Sequence, residues 1–253
     1  MYKFARMLEH KSPTDPAREL PRGLEHYEFL REFQPDRNLK SVLHFVPSLN
    51  PKTEKPLLTP DLKPDVHPIE WSEIFGRTTE RVEIEIGSGK GGFLVDYARN
   101  HPEISILGSE WDATWAIYAG ERLQKHSLDH AKMLRGDVFY FLRDRVQSNS
   151  VDAFHMYFPD PWPKKRQLKN RLMRAEFLEQ VARVLKPGKR IFYWGTDHQE
   201  YNEASQELFA STPFLKVLTK DIAEPTEGIM TNFEKKYRKE GRPIFRSVLE
   251  FEK

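Results

Sequence analysis

From Arg81 onward, short apolar runs alternate with longer amphipathic stretches, and this alternation restricts the possible folds more than any other feature. A short apolar run bounded by turn residues is typical of a buried strand, and an amphipathic stretch of about ten or more residues is typical of a helix packed on a sheet. The repeated order predicts βα units around a parallel sheet. The strands are expected within residues 81–87, 105–111, 131–137, 151–158 and 189–197, and a closing antiparallel pair within 214–220 and 243–251.

The stretches after the first five strands each predict one helix. The fourth helix is expected to end at Pro187 and Gly188, because proline cannot continue a helix and glycine readily follows its last turn. A connection of about twenty residues joins the last two strands, and a loop of that length is usually functional. The helices are expected within 91–102, 112–127, 137–147, 171–188 and 198–212.

Five βα units followed by an antiparallel pair match the Rossmann-like, seven-stranded α/β fold of class I S-adenosylmethionine-dependent methyltransferases. Residues 1–68 fit no such unit, because they hold ten of the 18 prolines and only short apolar runs. Such a segment cannot bury a core of its own. We therefore expect a methyltransferase domain at 69–253, preceded by an N-terminal arm that is partly disordered or packed on that domain.

Composition limits the classes of function. The net charge is only +2, so any affinity for nucleic acid must come from local clusters of cations. The chain has no cysteine, which excludes disulfides, thiolate nucleophiles and cysteine-bound zinc. The pair His126 and His130 lacks a carboxylate at metal spacing, so no metal is expected. No apolar run approaches the roughly 18 residues of a membrane span, so we expect a soluble, cytoplasmic protein with no membrane contact.

The segment between the first strand and the first helix, residues 87–92, reads GSGKGG. Gly87 and Gly89 allow a tight turn and a close approach of the backbone to a ligand at a helix N-terminus. Glu110 follows about twenty residues later, where an acceptor for ribose hydroxyls is expected. The pattern predicts a nucleoside cofactor, and the glycines alone fit both NAD and S-adenosylmethionine.

Glu85 favours S-adenosylmethionine. A central parallel strand is normally apolar on both faces, so a carboxylate at its C-terminal end requires a reason. Glu85 would repel a pyrophosphate or attract the ammonium of a methionyl tail, by about 4 kcal/mol in either case at about 4 Å and an effective dielectric near 20. The alternative is an ion pair with a basic neighbour. Glu83 breaks the same apolar pattern without a functional assignment.

Asp137 follows the third strand and has two possible roles. At the end of a strand beside the cofactor loop, its carboxylate is a suitable acceptor for the amino group of adenine. Asp is also a favourable N-cap for a helix that begins at Val138. The sequence leaves both roles open.

Residues 157–174 end an apolar run with Asp160 between two prolines, followed by Trp162 and a dense run of cations. Pro161 biases the backbone of Asp160 to the extended region, so its side chain has a defined direction. A nucleobase that is cationic or has an amide edge, carried on a polyanion, would suit a carboxylate with a defined direction, an aromatic surface and clustered cations. The motif therefore indicates nucleic-acid chemistry. The alternatives are an ordinary turn and a solvated helix face. The cations are Lys164, Lys165, Arg166, Lys169, Arg171 and Arg174.

Taken together, these motifs resemble those of the bacterial-type tRNA (guanine-N7-)-methyltransferases, which modify the guanosine at position 46 of the variable loop. The resemblance covers roughly residues 78–253 and rests on EIGSGKGGF, GSEW, RGD, YFPDPWPKKR, GTD and TNFEKKYRKEGRPIFR, in that order. FPDPWPKKR followed by TNFE is the specific part, whereas the glycine loop is generic. The resemblance implies S-adenosyl-L-methionine as the cofactor and tRNA as the partner.

Carried over by position, the resemblance implies a role for each matched residue. Asp160 is implied as the catalytic residue and as a cofactor contact. The other implied cofactor positions are Glu85, Glu110 and Asp137, to which the glycine loop adds Gly87 and Gly89. The implied substrate positions are Lys164, Asp197, Thr231, Asn232, Phe233 and Glu234. From the clustered charge we expect contacts to the RNA backbone from Lys165, Arg166, Lys169 and Arg171.

Three features qualify the resemblance. The family's basic tail usually has a histidine and an arginine where this chain has Gln167 and Asn170, which affects the expected RNA contacts. Residues 1–68 do not resemble the family's short lead-in, so their role is not implied. Thr231 and Glu234 also have the spacing of a capping box for a short helix that ends at Gly241, a role compatible with base recognition.

Other functions fit the residues less well. In an amino-group methyltransferase acting on nucleic acid, an Asp or Asn followed by two prolines and an aromatic residue would end the fourth strand, whereas here Pro161 is followed directly by Trp162. A non-catalytic RNA-binding protein with this fold would not need carboxylates at 85, 110 and 160. A nicotinamide dehydrogenase would need a proton relay that is not evident. Whether the protein is a monomer or a homodimer is left open.

Overall fold

The structure is a computed structural model that describes residues 41–44, 68–188, 191–220, 222 and 224–252. All of the described residues belong to one compact unit, Asn38–Lys253. Most of the predicted arm at 1–68 therefore lies outside the described residues. The boundary at residue 68 and the role of the arm stay predictions.

The described residues form one eight-stranded sheet in the order β1-β4-β3-β2-β5-β6-β8-β7, together with seven α-helices and two short 3₁₀ helices. The strands are β1 (Val42–His44), β2 (Val82–Ile86), β3 (Ser105–Glu110), β4 (Ala131–Arg135), β5 (Ala153–Tyr157), β6 (Ile191–Thr196), β7 (Leu215–Lys220) and β8 (Phe245–Phe251). The α-helices are α1 (Trp71–Phe75), α2 (Gly92–Asn100), α3 (Ala113–Lys125), α4 (Val138–Arg145), α5 (Ala175–Val184), α6 (Gln199–Ser211) and α7 (Asn232–Lys239). The 3₁₀ helices are Lys165–Asn170 and Thr226–Gly228. None of the described helices is long and apolar enough to cross a bilayer.

Strands β1 to β6 run parallel, and β8 is antiparallel to both β6 and β7. This arrangement confirms the five predicted βα units and the antiparallel closing pair. The short strand β1 is an addition to the seven predicted strands, and Val42 in it lies opposite Met133 in β4. Its three residues are too few to show a strand pattern in the sequence.

Strand β2 lies in the middle of the sheet, and all five of its residues are buried. One core cluster joins the sheet to α2 and α3 through side chains such as Phe93 and Leu123. A second cluster joins it to α1, α4, α5 and α6 through side chains such as Phe141 and Phe177. Because parallel strands end at the same edge of a sheet, the loops that follow β2 to β6 lie along one edge, where ligands of such sheets bind.

Glu83, within β2, has its partners inside the fold. Its carboxylate accepts hydrogen bonds from Arg81 Nε at 2.7 Å and from the Tyr97 hydroxyl at 2.9 Å, and it lies 2.8 Å from His155 Nε2. Burial acts to raise the pKa of Glu83, but the contacts with His155 and Arg81 outweigh it and hold this pKa at about 2. Glu83 therefore has a structural explanation that the sequence did not provide.

Candidate active site

Five of the six acidic residues predicted for the site lie at or just after the ends of five neighbouring strands of the sheet. Glu85 is the penultimate residue of β2, and Glu110 is the last residue of β3. Asp137, Asp160 and Asp197 follow β4, β5 and β6 in the same way. Because these strands are parallel, all five residues are at the same edge of the sheet.

The glycine loop is tied to β3 by backbone hydrogen bonds. The amides of Gly87 and Ser88 both donate to the Ser109 carbonyl at 2.9 Å. Gly87 and Gly89 have φ values of +74° and +51°, which residues with a Cβ adopt rarely. The amide of Gly89 donates to Glu110 Oε2 at 2.9 Å, so the loop and the predicted ribose acceptor are held together before any ligand binds.

Glu85 is buried, and its Oε2 has no hydrogen-bond partner among the described residues. The alternative interpretation of Glu85 required an ion pair with a basic neighbour. No basic side chain among the described residues forms an ion pair with Glu85. Burial raises the pKa of Glu85 to about 7, and the charge of Glu110 acts in the same direction. The nearby Ser88 hydroxyl opposes this shift without meeting hydrogen-bond geometry. A buried carboxylate without a partner is costly, and a cationic ligand would remove that cost.

Glu110 and Asp137 both bind the backbone at the starts of helices. Glu110 Oε1 accepts a hydrogen bond from the amide of Asp112 at 3.0 Å, and burial raises the pKa of Glu110. Asp137 accepts from the amide of Phe139 at 2.9 Å, which confirms it as the N-cap of α4. Burial also raises the pKa of Asp137. The N-cap role does not exclude adenine binding, because each carboxylate oxygen can accept more than one hydrogen bond.

The loop that carries Asp160 has an unusual backbone. Phe158 and Trp162 have positive φ values of 54° and 43°, and such conformations of residues with a Cβ cost about 1–3 kcal/mol each. The amide of Phe158 donates to the Gly195 carbonyl at 2.7 Å, which anchors the loop to β6. Asp160 itself is exposed, although the groups packed around it raise the pKa of its carboxyl. Backbone strain on both sides of an exposed carboxylate indicates a functional constraint on its direction.

Arg171 has a different environment from the other predicted RNA contacts. Its side chain is only 8% exposed, and its Nε donates to the Pro161 carbonyl at 2.7 Å. Its terminal nitrogens donate to Glu200 at 3.2 and 2.6 Å, and the guanidinium lies 4.5 Å from the centre of the Tyr201 ring. A guanidinium buried and used in this way holds the loop that carries Asp160. The expected contact of Arg171 with the RNA backbone stays a prediction.

The other predicted basic contacts remain at the surface. Lys164 immediately precedes the 3₁₀ helix Lys165–Asn170, which contains the remaining three. The exposed side chains are Lys164, Lys165, Arg166 and Lys169. Their contact with RNA stays a prediction.

The predicted substrate segment at 231–234 lies against the cofactor loop. Thr231 Oγ1 accepts a hydrogen bond from the amide of Glu234 at 3.0 Å, which confirms Thr231 as the N-cap of α7. A Cβ added to Gly92 would lie 3.0 Å from the Asn232 side chain, and one added to Gly89 would lie 4.0 Å from the Phe233 ring. Phe233 is 47% exposed, so its ring covers the glycine loop while facing solvent.

Glu234 differs from its neighbours because it is buried. Its carboxylate forms an ion pair with the buried Arg246 and accepts a hydrogen bond from Arg238 Nε at 2.9 Å. The ion pair with Arg246 fixes α7 to β8, and the contact with Arg238 lies within α7. A direct contact between Glu234 and a substrate stays a prediction that would require these ion pairs to rearrange.

The sequence analysis missed two residues at the other side of the site. Arg242 donates to Asp197 at 3.0 Å, and its guanidinium lies 4.4 Å from the centre of the Tyr237 ring. Tyr237 contacts the Phe158 ring edge-on at 5.5 Å and stacks with Phe233 at 5.9 Å. The i, i+4 spacing of Phe233 and Tyr237 was the available signal, because such residues are neighbours on one helix face.

Several known proteins resemble this chain in sequence. The sequence model of the family described as "Putative methyltransferase" matches residues 79–247. Three proteins named tRNA (guanine-N(7)-)-methyltransferase are similar to this chain. The one from Thermotoga maritima is 32% identical over 70% of this chain and 56% of its own length. The one from Rhodopirellula baltica is 37% identical over 68% and 66%, and the one from Nitrosomonas eutropha is 34% identical over 70% and 79%. The match therefore spans less than two thirds of the first two relatives.

Solved structures show the same fold at low sequence identity. The 16S rRNA methyltransferase KamB superposes with a TM-score of 0.52 at 15% identity, covering 69% of this chain and 89% of KamB. A 30S ribosomal methyltransferase from an uncultured bacterium gives a TM-score of 0.51 at 18% identity, covering 72% and 94%. These similarities support the class I methyltransferase fold, and at such identities they bear on the fold alone.

Proposed function

We propose that this chain, which belongs to the tRNA (guanine-N7-)-methyltransferase family, transfers a methyl group from S-adenosyl-L-methionine to N7 of a guanosine in tRNA. The target we propose is the guanosine at position 46 of the variable loop, and a tRNA substrate would place the reaction in the cytoplasm. The observation that carries the proposal is Glu85 Oε2, which has no hydrogen-bond partner within the described residues and belongs to the side chain beside the glycine loop, at the same sheet edge as Asp160.

The residues at this edge fit S-adenosyl-L-methionine. Glu85 would hold the ammonium of the methionyl tail, since its buried Oε2 has no other partner among the described residues. Gly87 and Gly89 would let the backbone approach the ligand, and Glu110 would accept from the ribose hydroxyls. Asp137 would accept from the adenine amino group. When bound, the cofactor supplies a methyl group on a positively charged sulfonium.

Asp160 would act on charge rather than on a proton. Guanine N7 has a free lone pair and carries no proton, so the reaction needs no general base. It needs alignment and stabilisation of the positive charge that develops on the purine. Asp160 would supply a carboxylate at that point, with its direction fixed by the strained loop. Because the surrounding groups raise its pKa, this carboxylate is neutralised at a higher pH than that of an ordinary aspartate.

The remaining predicted positions would hold the substrate. Lys164 and Asp197 lie after β5 and β6, and Phe233 lies over the glycine loop, so the three border the same edge. Thr231 and Asn232 would position this border through the start of α7. Contacts to the RNA backbone would come from the exposed side chains of Lys165, Arg166 and Lys169.

The direct test is to incubate the protein with tRNA and methyl-labelled S-adenosyl-L-methionine, digest the tRNA to nucleosides and identify the labelled nucleoside. We expect label in 7-methylguanosine. Asp160→Ala is the matched control, with an expected loss on the order of 10²-fold in rate, as for other preorganised electrostatic contacts. Label in another nucleoside, or no label, would reject the proposed reaction.

The position is tested separately with a tRNA transcript that has adenosine in place of guanosine at position 46. We expect this transcript to receive no label. If it is methylated as well as the unaltered transcript, the reaction class stands and the assignment to position 46 is wrong.

A further inference from the structure

The outer face of α7 carries cations that the fold itself does not use. Residues 232–242 contain five Lys and Arg and two Glu, against a net charge of only +2 for the whole chain. Three of the five cations have carboxylate partners: Arg238 pairs with Glu234, Arg242 with Asp197 and Lys236 with Glu240. Lys235 and Lys239 are exposed and form no ion pair within the described part of the chain.

The energetics of the helix do not explain Lys235. It lies one turn from Lys239 on the same side of α7, and like charges at this spacing are unfavourable in a helix. Lys239 is in the last turn, where a cation interacts favourably with the helix dipole. Lys235 is near the first turn, where a cation gains nothing from the dipole. An external anion would account for both lysines.

The same face of α7 forms a shallow groove. Its volume is about 430 Å³, and it is lined by Asn232, Lys235, Lys236, Lys239 and Glu240. The lining therefore has three lysines, one amide and a single carboxylate, and that carboxylate already accepts from Arg242 Nε at 2.6 Å. Such a lining suits a phosphate and the adjoining sugar.

The position of the groove relates it to the candidate active site. At its N-terminus, α7 contacts the glycine loop through Asn232 and Phe233, and further along Tyr237 contacts Phe158 at the start of the loop that carries Asp160. With a helix rise of about 1.5 Å per residue, the groove begins within about one turn of the cofactor loop. An RNA strand that presents a base between the two loops would have its neighbouring phosphates close to this helix.

We infer that the outer face of α7, formed by Lys235, Lys236 and Lys239, binds the phosphate backbone of the RNA next to the guanosine that is methylated. The inference rests on the proposed function and adds a second RNA-binding surface to the basic run at 164–169. Contact with phosphates makes the affinity depend on salt concentration, because each contact releases condensed counterions.

The test uses the full chain with lysines 235 and 239 replaced together by glutamine (K235Q/K239Q). Glutamine has nearly the helix propensity of lysine and removes its charge. The matched control is K125Q/K216Q, because Lys125 ends α3, Lys216 lies near the start of β7, and both are exposed at the opposite edge of the sheet. Filter binding of tRNA over a salt series gives the slope of log Kd against log salt for each protein.

We expect K235Q/K239Q to flatten the slope by about 1 to 1.5, taking roughly 0.7 per lost phosphate contact. The Kd for tRNA should rise, the Kd for S-adenosyl-L-methionine should not change, and K125Q/K216Q should behave as the wild type does. An unchanged slope in K235Q/K239Q, or an equal change in the control, would overturn the inference. If the wild type formed 7-methylguanosine with such a result, the proposed function would stand and only this surface would be rejected. If the wild type neither bound nor methylated tRNA, both would fail.

Discussion

Glu85 and Glu110 lie in the last two residues of neighbouring strands, but their carboxylates have different surroundings. Both oxygens of Glu110 accept hydrogen bonds from backbone amides, whereas Glu85 Oε2 has none within the described ranges. A carboxylate with internal donors keeps its position with or without a ligand. A buried carboxylate without them responds to whatever charge is brought next to it, so Glu85 is the residue whose protonation should couple to cofactor binding.

The first prediction is that affinity for S-adenosyl-L-methionine falls as Glu85 is protonated. Its pKa is about 7 in the free protein, and a neighbouring ammonium favours the ionised form. Affinity should therefore weaken as the pH falls below 7, by about tenfold between pH 7.5 and pH 6. Calorimetry across this range measures the Kd.

Glu85→Gln is the control for this titration. The glutamine variant should bind more weakly at pH 7.5 and lose most of the pH dependence, and the ratio of the two Kd values cancels any titration of the cofactor's own amino group. A wild-type protein whose pH profile is parallel to that of the glutamine variant would show that Glu85 does not face the ammonium.

The second prediction concerns Arg171, which should affect the rate rather than RNA binding. Arg171→Lys keeps the charge but cannot reproduce the hydrogen bonds to Pro161 and the two oxygens of Glu200. Because small displacements of a reacting group are costly, kcat should fall about 10- to 100-fold, with the KM for tRNA and the salt slope unchanged.

Two further variants separate positioning from phosphate contact. Arg166→Lys, at an exposed position of the same run, should retain its kcat. Glu200→Gln should reproduce part of the Arg171→Lys defect without altering a cation. If Arg171→Lys has wild-type kinetics, Arg171 contributes only its charge and does not position the loop.

Arg171 also shows how far the sequence predicts the site. Its position in a run of six cations gave it the same interpretation as its neighbours, because sequence spacing does not show which way a side chain points. Its partner Glu200 is 29 residues away on another helix. The sheet-edge positions of Glu85, Glu110 and Asp160 were predictable because each lies at or just after the end of a recognisable strand.

At the scale of elements, the sequence predicted strands better than it predicted the connection after β5. The helix expected over 171–188 begins at Ala175, and a 3₁₀ helix at Lys165–Asn170 precedes it. Arg171 and Arg174 have extended backbones with ψ values of 131° and 165°. The hydrogen bond from Arg171 to the Pro161 carbonyl holds the chain in this form, and a contact of that kind has no local signal.

The third prediction is that the start of α7 depends on its cap. Thr231→Ala removes the acceptor for the Glu234 amide, and loss of an N-cap typically costs about 1 kcal/mol. Amides of residues 235–239 should then exchange with solvent about fivefold faster, since 1.4 kcal/mol corresponds to tenfold. Hydrogen-exchange mass spectrometry of this segment measures the effect.

Methyl transfer should decline in the same variant, because Asn232 and Phe233 hold their places on the glycine loop through this helix start. Thr231→Ser keeps the oxygen and should match the wild type in both measurements. Wild-type exchange in Thr231→Ala would mean that the ion pairs of Glu234 with Arg238 and Arg246, rather than the cap, fix the helix.

At the scale of the whole molecule, the part of this nearly neutral chain that the structure describes carries two clusters of exposed cations near the candidate site. One is the exposed run at 164–169, which follows β5, and the other is the outer face of α7, which precedes β8. The two are far apart in sequence, and in the structure Tyr237 of α7 contacts Phe158 in the loop that leads to the exposed run. If one tRNA contacts both surfaces, both contribute to the salt dependence of tRNA binding.

The last prediction is that the two surfaces contribute additively to tRNA binding. Replacing Lys165 and Arg166 by glutamine should flatten the salt slope by about 1 to 1.5, as K235Q/K239Q should, on the basis of roughly 0.7 per phosphate contact. Effects at separate sites without shared partners usually add, so the variant with all four substitutions should lose about 2 to 3 from the slope. Filter binding over the same salt series measures it, with circular dichroism to verify the fold. If the salt slope of the variant with all four substitutions is no flatter than that of the double variant with the larger effect, a bound tRNA engages only one surface at a time.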